Sequence, residues 1–271
     1  MVRASEEYFG SDAQKDVLRR ARAVFDNLSD DEPMSCHGRV VGHISPQYGP
    51  VAEVVQLTRL QGASHYASVS AQEIDEVLAQ ASEAGISTVN YARWEIHTDQ
   101  IAATGQKTGN AALPDGLSIE RLTPDTPEAT IQSFVQTSLV CGVLPAWRSA
   151  HTGQALQART LVAVTPNGQV VSSAYAARYI NGTSALANSE CFWGMLTTHP
   201  DWRGKGLSVL LGRMLLDQMS KDFGFTHFYT GITPGNVPSE AVCSKIGLVH
   251  SGNRLVTMAD PARVPGGRIT K

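Results

Sequence analysis

The spacing of apolar residues predicts helices and strands in the N-terminal part of the chain. Apolar residues recur every three to four positions over 12–28, directly after Ser11, which indicates an amphipathic helix with a serine N-cap. Two runs rich in β-branched residues follow, at 39–45 and 51–60, and Pro and Gly residues separate them. This pattern predicts a β-hairpin.

A second helix and a strand complete this part of the chain. The helix is predicted to begin after Ser70, and the run at 86–96 has the composition of a strand. The residues that follow, 98–115, combine weak periodicity with many Gly, Thr and Asn, which indicates a linker. We therefore expect an accessory α+β domain over 1–113 and a second domain over 116–271.

The second domain starts a new series of elements. Its predicted strands lie at 116–122, 160–165, 169–180, 189–197, 227–232 and near 255–259. The strongest helical stripe in the chain spans Leu207 to Phe223. Three further helices are predicted after Thr126, within 145–158 and before Gly247. Helices combined with a series of strands, several of them connected by hairpins, predict an α/β (α+β) fold.

The composition excludes several classes of protein. The 271 residues are 42% apolar and 17% charged, which is typical of a globular chain rather than a disordered one. The acidic N-terminal residues and the lack of an apolar run of about 18 residues predict a cytoplasmic protein without a membrane segment. The four cysteines are widely separated, so we expect reduced thiols and no metal site.

The net charge of −3 is unevenly distributed along the chain. Up to Leu113 there are nine Lys and Arg against 15 Asp and Glu, and from Pro114 onward there are 13 against ten. No run of Lys or Arg occurs, so we do not expect a nucleic-acid partner. The acidic first part would suit either a surface beside a cationic substrate or an oligomer interface, such as that of a homodimer. Both alternatives stay open.

One loop of the second domain carries the pattern of an anion site. It has the sequence Asp201-Trp-Arg-Gly-Lys-Gly206 and lies between a predicted strand and the helix that begins at Leu207. The two glycines allow the backbone to approach a ligand, and the free N–H groups at a helix N-terminus attract negative charge. Arg203 and Lys205 would add charge-assisted hydrogen bonds. Neither a Walker loop nor a dinucleotide G-x-G-x-x-G fingerprint fits these residues.

This loop resembles the pyrophosphate-binding loop of the GNAT superfamily of acetyl-CoA-dependent N-acyltransferases, whose pattern is Q/R-x-x-G-x-G/A. The two glycines match the pattern, and Asp201 departs from it. The segment from Asn236 to Leu248 is similar to a second signature of the family, an Asn followed by a helix that ends in K-x-G-F. Together with the order of predicted elements, the resemblance covers the second half of the chain, from Gly116 to about Ala259.

The resemblance implies a fold, an activity and a set of cofactor-binding residues. The fold would be a mixed, mostly antiparallel sheet flanked by helices. The activity would be direct transfer of an acetyl group from acetyl-CoA to the primary amine of a small-molecule acceptor, without a metal. A donor other than acetyl-CoA and a catalytically silent CoA-binding or scaffold protein are the alternatives. The cofactor would contact Leu196 and Thr198 at its pantetheine, Arg203, Gly204, Lys205, Gly206, Leu207 and Ser208 at its pyrophosphate, and Asn236 from the other side.

A glutamate is the candidate general base. Members of the family that modify histones use a glutamate 14 residues before the first loop glycine, and the resemblance places this role on Glu190. Strand alternation would put Glu190 on one face with Phe192, Gly194 and Leu196, among apolar groups. Such surroundings would strengthen its hold on a proton, as a base for the incoming ammonium requires. The alternative is a solvated carboxylate at a sheet edge.

The general acid for the leaving thiolate has two candidates. Many relatives have a tyrosine two residues before the lysine of K-x-G-F, and Cys243 occupies that place here. Cys243 is one candidate, although a cysteine within a helix is also typical of a buried packing residue. Tyr229, on the preceding predicted strand, is the second candidate.

The first half of the chain has two interpretations. Its helix–hairpin–helix–strand order over 11–97 fits a degenerate copy of the same fold, as in tandem members of the family, or a separate accessory domain. Because it has no G-x-G loop between a strand and a helix, we do not expect it to bind CoA.

Overall fold

The computed structural model describes residues 6–28, 34–100, 112–182, 184–267 and 269. The helices are α1 (Asp12–Phe25), α2 (Val51–Gln61), α3 (Ile74–Glu83), α4 (Glu128–Val140), α5 (Arg148–His151), α6 (Ala185–Ser189), α7 (Leu207–Phe223) and α8 (Val237–Ile246). The strands are β1 (Met34–Cys36), β2 (Val41–His43), β3 (Ala63–Val69), β4 (Ser87–His97), β5 (Ser118–Arg121), β6 (Ala158–Val164), β7 (Val170–Arg178), β8 (Glu190–Thr198), β9 (His227–Ile232) and β10 (Val249–Ala259). Within the described ranges, no helix is both long enough and apolar enough to cross a membrane.

The ten described strands form one sheet in the order β1-β2-β3-β10-β4-β9-β8-β7-β6-β5. Two neighbouring pairs are parallel, β2 with β3 and β8 with β9. The remaining strand pairs for which a register is defined are antiparallel. The predicted α/β (α+β) class with a mixed, mostly antiparallel sheet is therefore confirmed.

The last strand of each half pairs with the other half of the chain. β4, from the first half, pairs with β9 along Ala92–His97. β10, from the end of the second half, lies between β3 and β4. Each half therefore depends on the other for the hydrogen bonds of its sheet. The domain boundary near residue 113 stays a prediction, and 101–111 of the predicted linker lie outside the described residues.

The two halves follow the same order of elements. In the first half, β2 leads through α2 to the parallel strand β3, and then through α3 to β4. In the second half, β8 leads through α7 to the parallel strand β9, and then through α8 to β10. This internal repeat favours a degenerate copy of one fold over an unrelated accessory domain.

The hairpin predicted for 39–60 is wrong in its second strand, because 51–60 lies within helix α2. The buried residues of α2 recur with helical spacing, and they are Val51, Val54, Val55, Thr58 and Gln61. Burial of this face outweighs the β propensity of the valines. Pro50 precedes the helix, and Gly62, with φ of 99°, ends it in the left-handed conformation. Strand β3, which follows, was not predicted.

Both faces of the sheet are covered. Helices α7 and α8 pack on one face of the second half, in a cluster with Trp193 and Phe228. The opposite face carries a cluster that combines Val41 and residues of α1 from the first half with Tyr175 and Phe192 from the second. The core on this face is therefore shared by the two halves.

Candidate active site

The two parallel strands of the second half separate along their length. Their pairing is confined to Glu190–Phe192 on β8 and His227–Tyr229 on β9. Both strands are fully described, and beyond this point β8 continues to Thr198 and β9 to Ile232 without a shared register. Backbone N–H and C=O groups that face the gap are therefore available to a ligand.

A β-bulge lies next to this gap. The register between β7 and β8 shifts between the pairs Ser173–Thr197 and Tyr175–Gly194, so β8 contains one extra residue. Met195, in the bulge, has a φ of +49°. A non-glycine residue in the left-handed region is strained by roughly 1–2 kcal/mol. Such strain next to a strand gap is typical of a functional position.

The extra residue reverses the side-chain alternation of β8. Phe192 packs on the face opposite α7, whereas Leu196 packs with Trp193 on the face covered by α7, where it lies near Gly212. The prediction that Leu196 shares a face with Glu190 is therefore wrong, because it assumed an unbroken period of two.

The loop before α7 is exposed and contains two glycines in the left-handed conformation. Gly204 has φ of 78° and Gly206 has φ of 79°. Gly206 is the N-cap of the 17-residue helix α7 and provides no side-chain cap. The N–H groups of the first turn therefore stay available to an anion, as the sequence pattern predicts.

Side chains around the loop connect it to the end of β8. The hydroxyls of Thr198 and Ser208 are 2.8 Å apart, and Arg203 Nε donates to the carbonyl oxygen of Thr198 at 3.4 Å. Lys205 Nζ lies 4.2 Å from the centre of the Trp202 ring. Thr198, Arg203, Lys205 and Ser208 thus come together at one end of the gap, and buried Leu207 anchors the first turn of α7.

Asn236 belongs to the same end of the sheet. It follows β9 as the loop at Gly204 follows β8, and parallel neighbouring strands end at the same edge. Asn236 is exposed and caps α8, and its side-chain oxygen accepts a hydrogen bond from the backbone N–H of Ser239 at 3.4 Å. Its predicted contact with the cofactor stays a prediction.

Glu190 is buried at the start of β8, with 3% of its surface exposed. Its Oε1 accepts a hydrogen bond from Nη2 of Arg93, and His227 Nδ1 lies 3.2 Å from the same oxygen. Its Oε2 accepts a hydrogen bond from the Tyr179 hydroxyl at 2.5 Å. The carboxylate is therefore neither solvated nor in the purely apolar surroundings that strand alternation predicts.

Arg93, on β4, joins the two halves at this position. Its Nε donates to Glu95 Oε1 at 2.5 Å, and its Nη1 donates to the carbonyl oxygen of Ala67 at 2.8 Å. Burial by itself lowers the pKa of Arg93, but the charge of Glu190 and the smaller effects of Tyr179, Tyr229 and Glu95 together outweigh it, so the pKa is raised. Burial raises the pKa of Glu95, but the nearby ring of His227, whose Nε2 lies 3.4 Å from Glu95 Oε2, and the charge of Arg93 reverse this and lower the pKa to about 2. The guanidinium therefore stays charged, and so does Glu95 above about pH 2.

Three titratable groups of this network also have the spacing of a metal site. One ligand atom each from Glu95, Glu190 and His227 lie within 4.8 Å of one another. The guanidinium of Arg93, however, contacts both carboxylates and supplies the positive charge there. The absence of a metal stays a prediction.

Tyr229, a candidate acid, is buried where β8 and β9 begin to separate. Its hydroxyl lies 2.5 Å from Nε2 of His37, which comes from the first half, and the guanidinium of Arg93 lies 3.8 Å from its ring centre. Burial raises the pKa of Tyr229 well above its usual value and lowers the pKa of His37 well below its own. Both side chains are therefore neutral near pH 7, and the phenol carries the proton that an acid must supply.

Cys243, the other candidate acid, lies on the opposite face of the sheet. It is buried on α8 in the cluster that contains Trp193 and Leu216. Burial raises the pKa of the Cys243 thiol to about 12. The structure therefore brings Glu190 and Tyr229 to one face and leaves Cys243 in a packing position on the other.

Five residues of this site were not predicted from the sequence, namely His37, Arg93, Glu95, Tyr179 and His227. Arg93 had a visible signal, because it is a charged residue inside a predicted strand of largely apolar composition. His37 had none because its partner is distant along the chain. Tyr179 had none because helix α6 separates it from Glu190, so no regular spacing within one element links the two residues. His37 is separated from Tyr229 by 192 positions.

The comparisons with known proteins concern the fold. No protein-family model matches the sequence, and no curated protein matches it. Among solved structures, a Drosophila protein aligns over 82% of this chain and 70% of its own, with a TM-score of 0.52 and 16% identity. A tandem GNAT protein from the clavulanic acid biosynthesis pathway aligns over 77% and 68%, with a TM-score of 0.50 and 19% identity.

A third solved structure, a GCN5-related N-acetyltransferase from Kribbella flavida, aligns over 78% of this chain and 76% of its own, with a TM-score of 0.50 and 14% identity. These alignments extend over most of the chain, so they include elements of the first half as well as the second. Together with the strand gap, the bulge and the glycine turn, they confirm that the chain has the GNAT fold.

Proposed function

We propose that the protein transfers an acetyl group from acetyl-CoA directly to the primary amine of a small molecule. The observation that carries this proposal is the gap between β8 and β9, which leads to the exposed Gly204-Lys205-Gly206 turn at the N-terminus of α7. An extended ligand with an anionic group fits this arrangement, because free strand groups run toward a helix N-terminus. Acyltransferases of the GNAT fold are among the structural neighbours.

The proposed contacts with CoA come largely from the backbone. Leu196 and Thr198 would offer strand groups to the pantetheine, and the first turn of α7 would offer N–H groups to the pyrophosphate. Arg203 and Lys205, both exposed beside that turn, would add positive charge. Asn236 would border the cofactor from the start of α8.

The reaction needs one group that accepts a proton from the ammonium and one that supplies a proton to the departing thiolate. Glu190 is the proposed base and Tyr229 the proposed acid, because both lie on the face opposite α7 at the start of the gap. Glu190 must release a hydrogen bond from Arg93, His227 or Tyr179 before it accepts a proton. Such acid–base groups contribute typically 10²–10⁴-fold to the rate.

A catalytically silent CoA-binding protein is the second candidate. Both oxygens of Glu190 are engaged in a buried ion-pair network, an arrangement that also occurs for carboxylates with a purely structural role. In this case the gap would bind acyl-CoA, and no group would activate an amine.

Two measurements separate these candidates. We expect acetyl-CoA to bind in isothermal titration, and a free-thiol assay over a panel of primary amines to show turnover with at least one. Glu190→Gln should then lower kcat/KM by about 10²-fold or more without changing acetyl-CoA affinity. Binding without turnover would favour the silent protein, and no binding would contradict both. Repeating the titration with propionyl-CoA tests the choice of acyl group.

A further inference from the structure

A loop of the first half lies on the face of the sheet opposite α7. This loop, 37–40, connects β1 to β2. The carbonyl oxygen of Gly38 accepts a hydrogen bond from the backbone N–H of Trp147 at 2.9 Å. A Cβ atom on Gly38 would lie only 2.8 Å from the Cβ of Ala150 and 3.2 Å from the Tyr175 hydroxyl. The loop is therefore held closely against the second half.

This loop carries an arginine without a charged partner. Arg39 is partly exposed, but its Nε is shielded from solvent and makes no hydrogen bond to any part of the chain that the structure describes. Among the described residues, no carboxylate forms an ion pair with its guanidinium. Burial lowers the pKa of Arg39 to about 10, so it is charged at neutral pH. A shielded N–H of a charged guanidinium is costly to leave without a hydrogen-bond partner, and a ligand could supply one.

Two neutral polar atoms near Arg39 also lack partners among the described residues. The Tyr175 hydroxyl, next to Gly38, and Nε2 of His151 are both buried without a hydrogen bond. The rings of Tyr175 and His151 lie 4.8 Å apart. Arg39 is also close enough to Tyr175 for the two groups to perturb each other's pKa. A ligand that enters here would supply the contacts that these buried polar atoms lack.

Arg39 and these polar atoms lie on the same face of the sheet as the opening of the gap between β8 and β9. The hydroxyls that act on Arg39 electrostatically belong to Tyr175 on β7 and Tyr91 on β4. In the sheet, β7 and β4 are the strands on either side of β8 and β9, and Tyr175 is paired with Gly194 at the bulge. Tyr175 and Tyr91 both pack on the face opposite α7. Arg39 therefore lies on the side from which an acceptor would reach the gap.

We propose that Arg39 binds a carboxylate of the amine acceptor, so that the acceptor is an amino acid or a similar amino-carboxylate. This inference rests on the proposed function and specifies its substrate class. A guanidinium matches a carboxylate through two parallel hydrogen bonds, and the Tyr175 hydroxyl adds a donor beside it. The first half would then contribute acceptor recognition, while the second half holds CoA.

The test uses full-length protein loaded with CoA and matched pairs of ligands. L-amino acids, the same amino acids as C-terminal amides, and the pair phosphoethanolamine and ethanolamine are titrated calorimetrically. We expect at least one amino acid to bind at least tenfold more tightly than its amide. Arg39→Gln should weaken that amino acid by about 100-fold and leave the amide unchanged, and Arg39→Lys should give an intermediate loss. Arg121→Gln, at an exposed arginine on β5, is the control and should change neither.

Several outcomes would overturn the inference. These are amides that bind as well as the acids, a preference for acids that survives in Arg39→Gln, a preference for the phosphate over every carboxylate, and no binding of any member. Thermal unfolding of each variant checks that it folds. If Arg39→Gln does not fold, the test relies on Arg39→Lys, which keeps the charge. Failure of the proposed function is read separately, from acetyl-CoA binding and from thiol release with any amine, charged or neutral.

Discussion

The chain contains the same crossover twice, and the two copies differ in what occupies them. In the second half, β8 and β9 separate and lead to an exposed glycine turn. In the first half, the corresponding end of β2 is filled by side chains. The ring of His43 lies where a Cβ on Gly49 would be, at 2.4 Å, and the Tyr66 hydroxyl donates to the carbonyl oxygen of Gly49 at 2.6 Å.

The start of the crossover helix differs in charge as well. Helix α2 follows Pro50 and has Glu53 in its first turn, and Glu53 lies 3.2 Å from His43. Helix α7 has no acidic residue in its first turn and follows Lys205 and Gly206. An acidic first turn already compensates the positive end of the helix dipole and repels a second anion. The two copies therefore share a topology and differ in their loop and first-turn residues, and the helix N-terminus of the second copy lacks the acidic compensation found in the first.

The largest expected effect follows from the strand exchange between the two copies. Strand β4 stands between β9 and β10, so the second half alone would lose hydrogen bonds on both of these strands. We expect a fragment of residues 114–271 to show no cooperative thermal unfolding by circular dichroism and no acetyl-CoA binding. Co-expression with residues 1–113 should restore both. Cooperative unfolding of the fragment near the full-length Tm would show that the copies are independent.

The next effect concerns the contact that joins the copies at Glu190. Arg93→Met would leave Glu190 buried without its guanidinium partner, and breaking a buried ion pair in this way costs about 3–5 kcal/mol. We expect the free energy of unfolding in urea to fall by this amount. Arg59→Met, at an exposed arginine on α2, is the control and should change it by less than about 0.5 kcal/mol.

A double variant separates the ion pair from the packing of the long side chain. In Arg93→Met with Glu190→Gln, the buried charge is removed from both partners, so the loss should be smaller than in Arg93→Met alone. A double variant that is as unstable as the sum of the two single variants would show that Arg93 acts through packing and not through Glu190.

The glycine turn gives a prediction that is specific for the second copy. Gly204→Val would place a β-branched residue at φ of 78°, which disfavours the turn and removes close access to its backbone. We expect acetyl-CoA affinity to fall by about 100-fold in isothermal titration. Gly168→Val is the matched control, because Gly168 has φ of 82° and equally open surroundings in the turn between β6 and β7. Equal affinities of the two variants would contradict a role of the turn in binding.

The sequence predicted those features of the two copies that depend on neighbouring residues. Most elements of the second half were predicted because their periodicity is local, and the turn at Gly204 was predicted because glycine there is a local requirement of the backbone. Helix α2 was taken for a strand because its valines favour β structure, and only the burial of Val51, Val54 and Val55 on one face decides for a helix.

The features that the sequence did not predict depend on residues far apart in the chain. The exchange of β4 and β10 follows from pairing between residues at least 130 positions apart, such as Met258 with Thr88 and His97 with His227. The partners of Glu190 come from β4, from β9 and from the segment after β7. The local spacing of residue types in one sequence does not indicate such long-range contacts. The bulge at Met195 could not be predicted from local sequence either, because it depends on the register of the neighbouring strand.

The smallest expected effect is the pH dependence of the contact between the copies at Glu95. Its pKa of about 2 in the folded protein is below the ordinary value of 4.5, so Glu95 stabilises the protein fully above about pH 4.5. This stabilisation is lost as the pH falls from 4.5 toward 2, because the carboxylate that accepts a hydrogen bond from Arg93 and lies beside His227 becomes protonated. Glu95→Gln should therefore lower Tm by a few degrees at pH 7, and the difference from wild type should shrink below about pH 4.5. Glu83→Gln, at an exposed position on α3, is the control and should leave Tm unchanged across this range. If the difference in Tm between Glu95→Gln and the wild type were the same at every pH, the ion pairs of Glu95 would not stabilise the junction of the two copies.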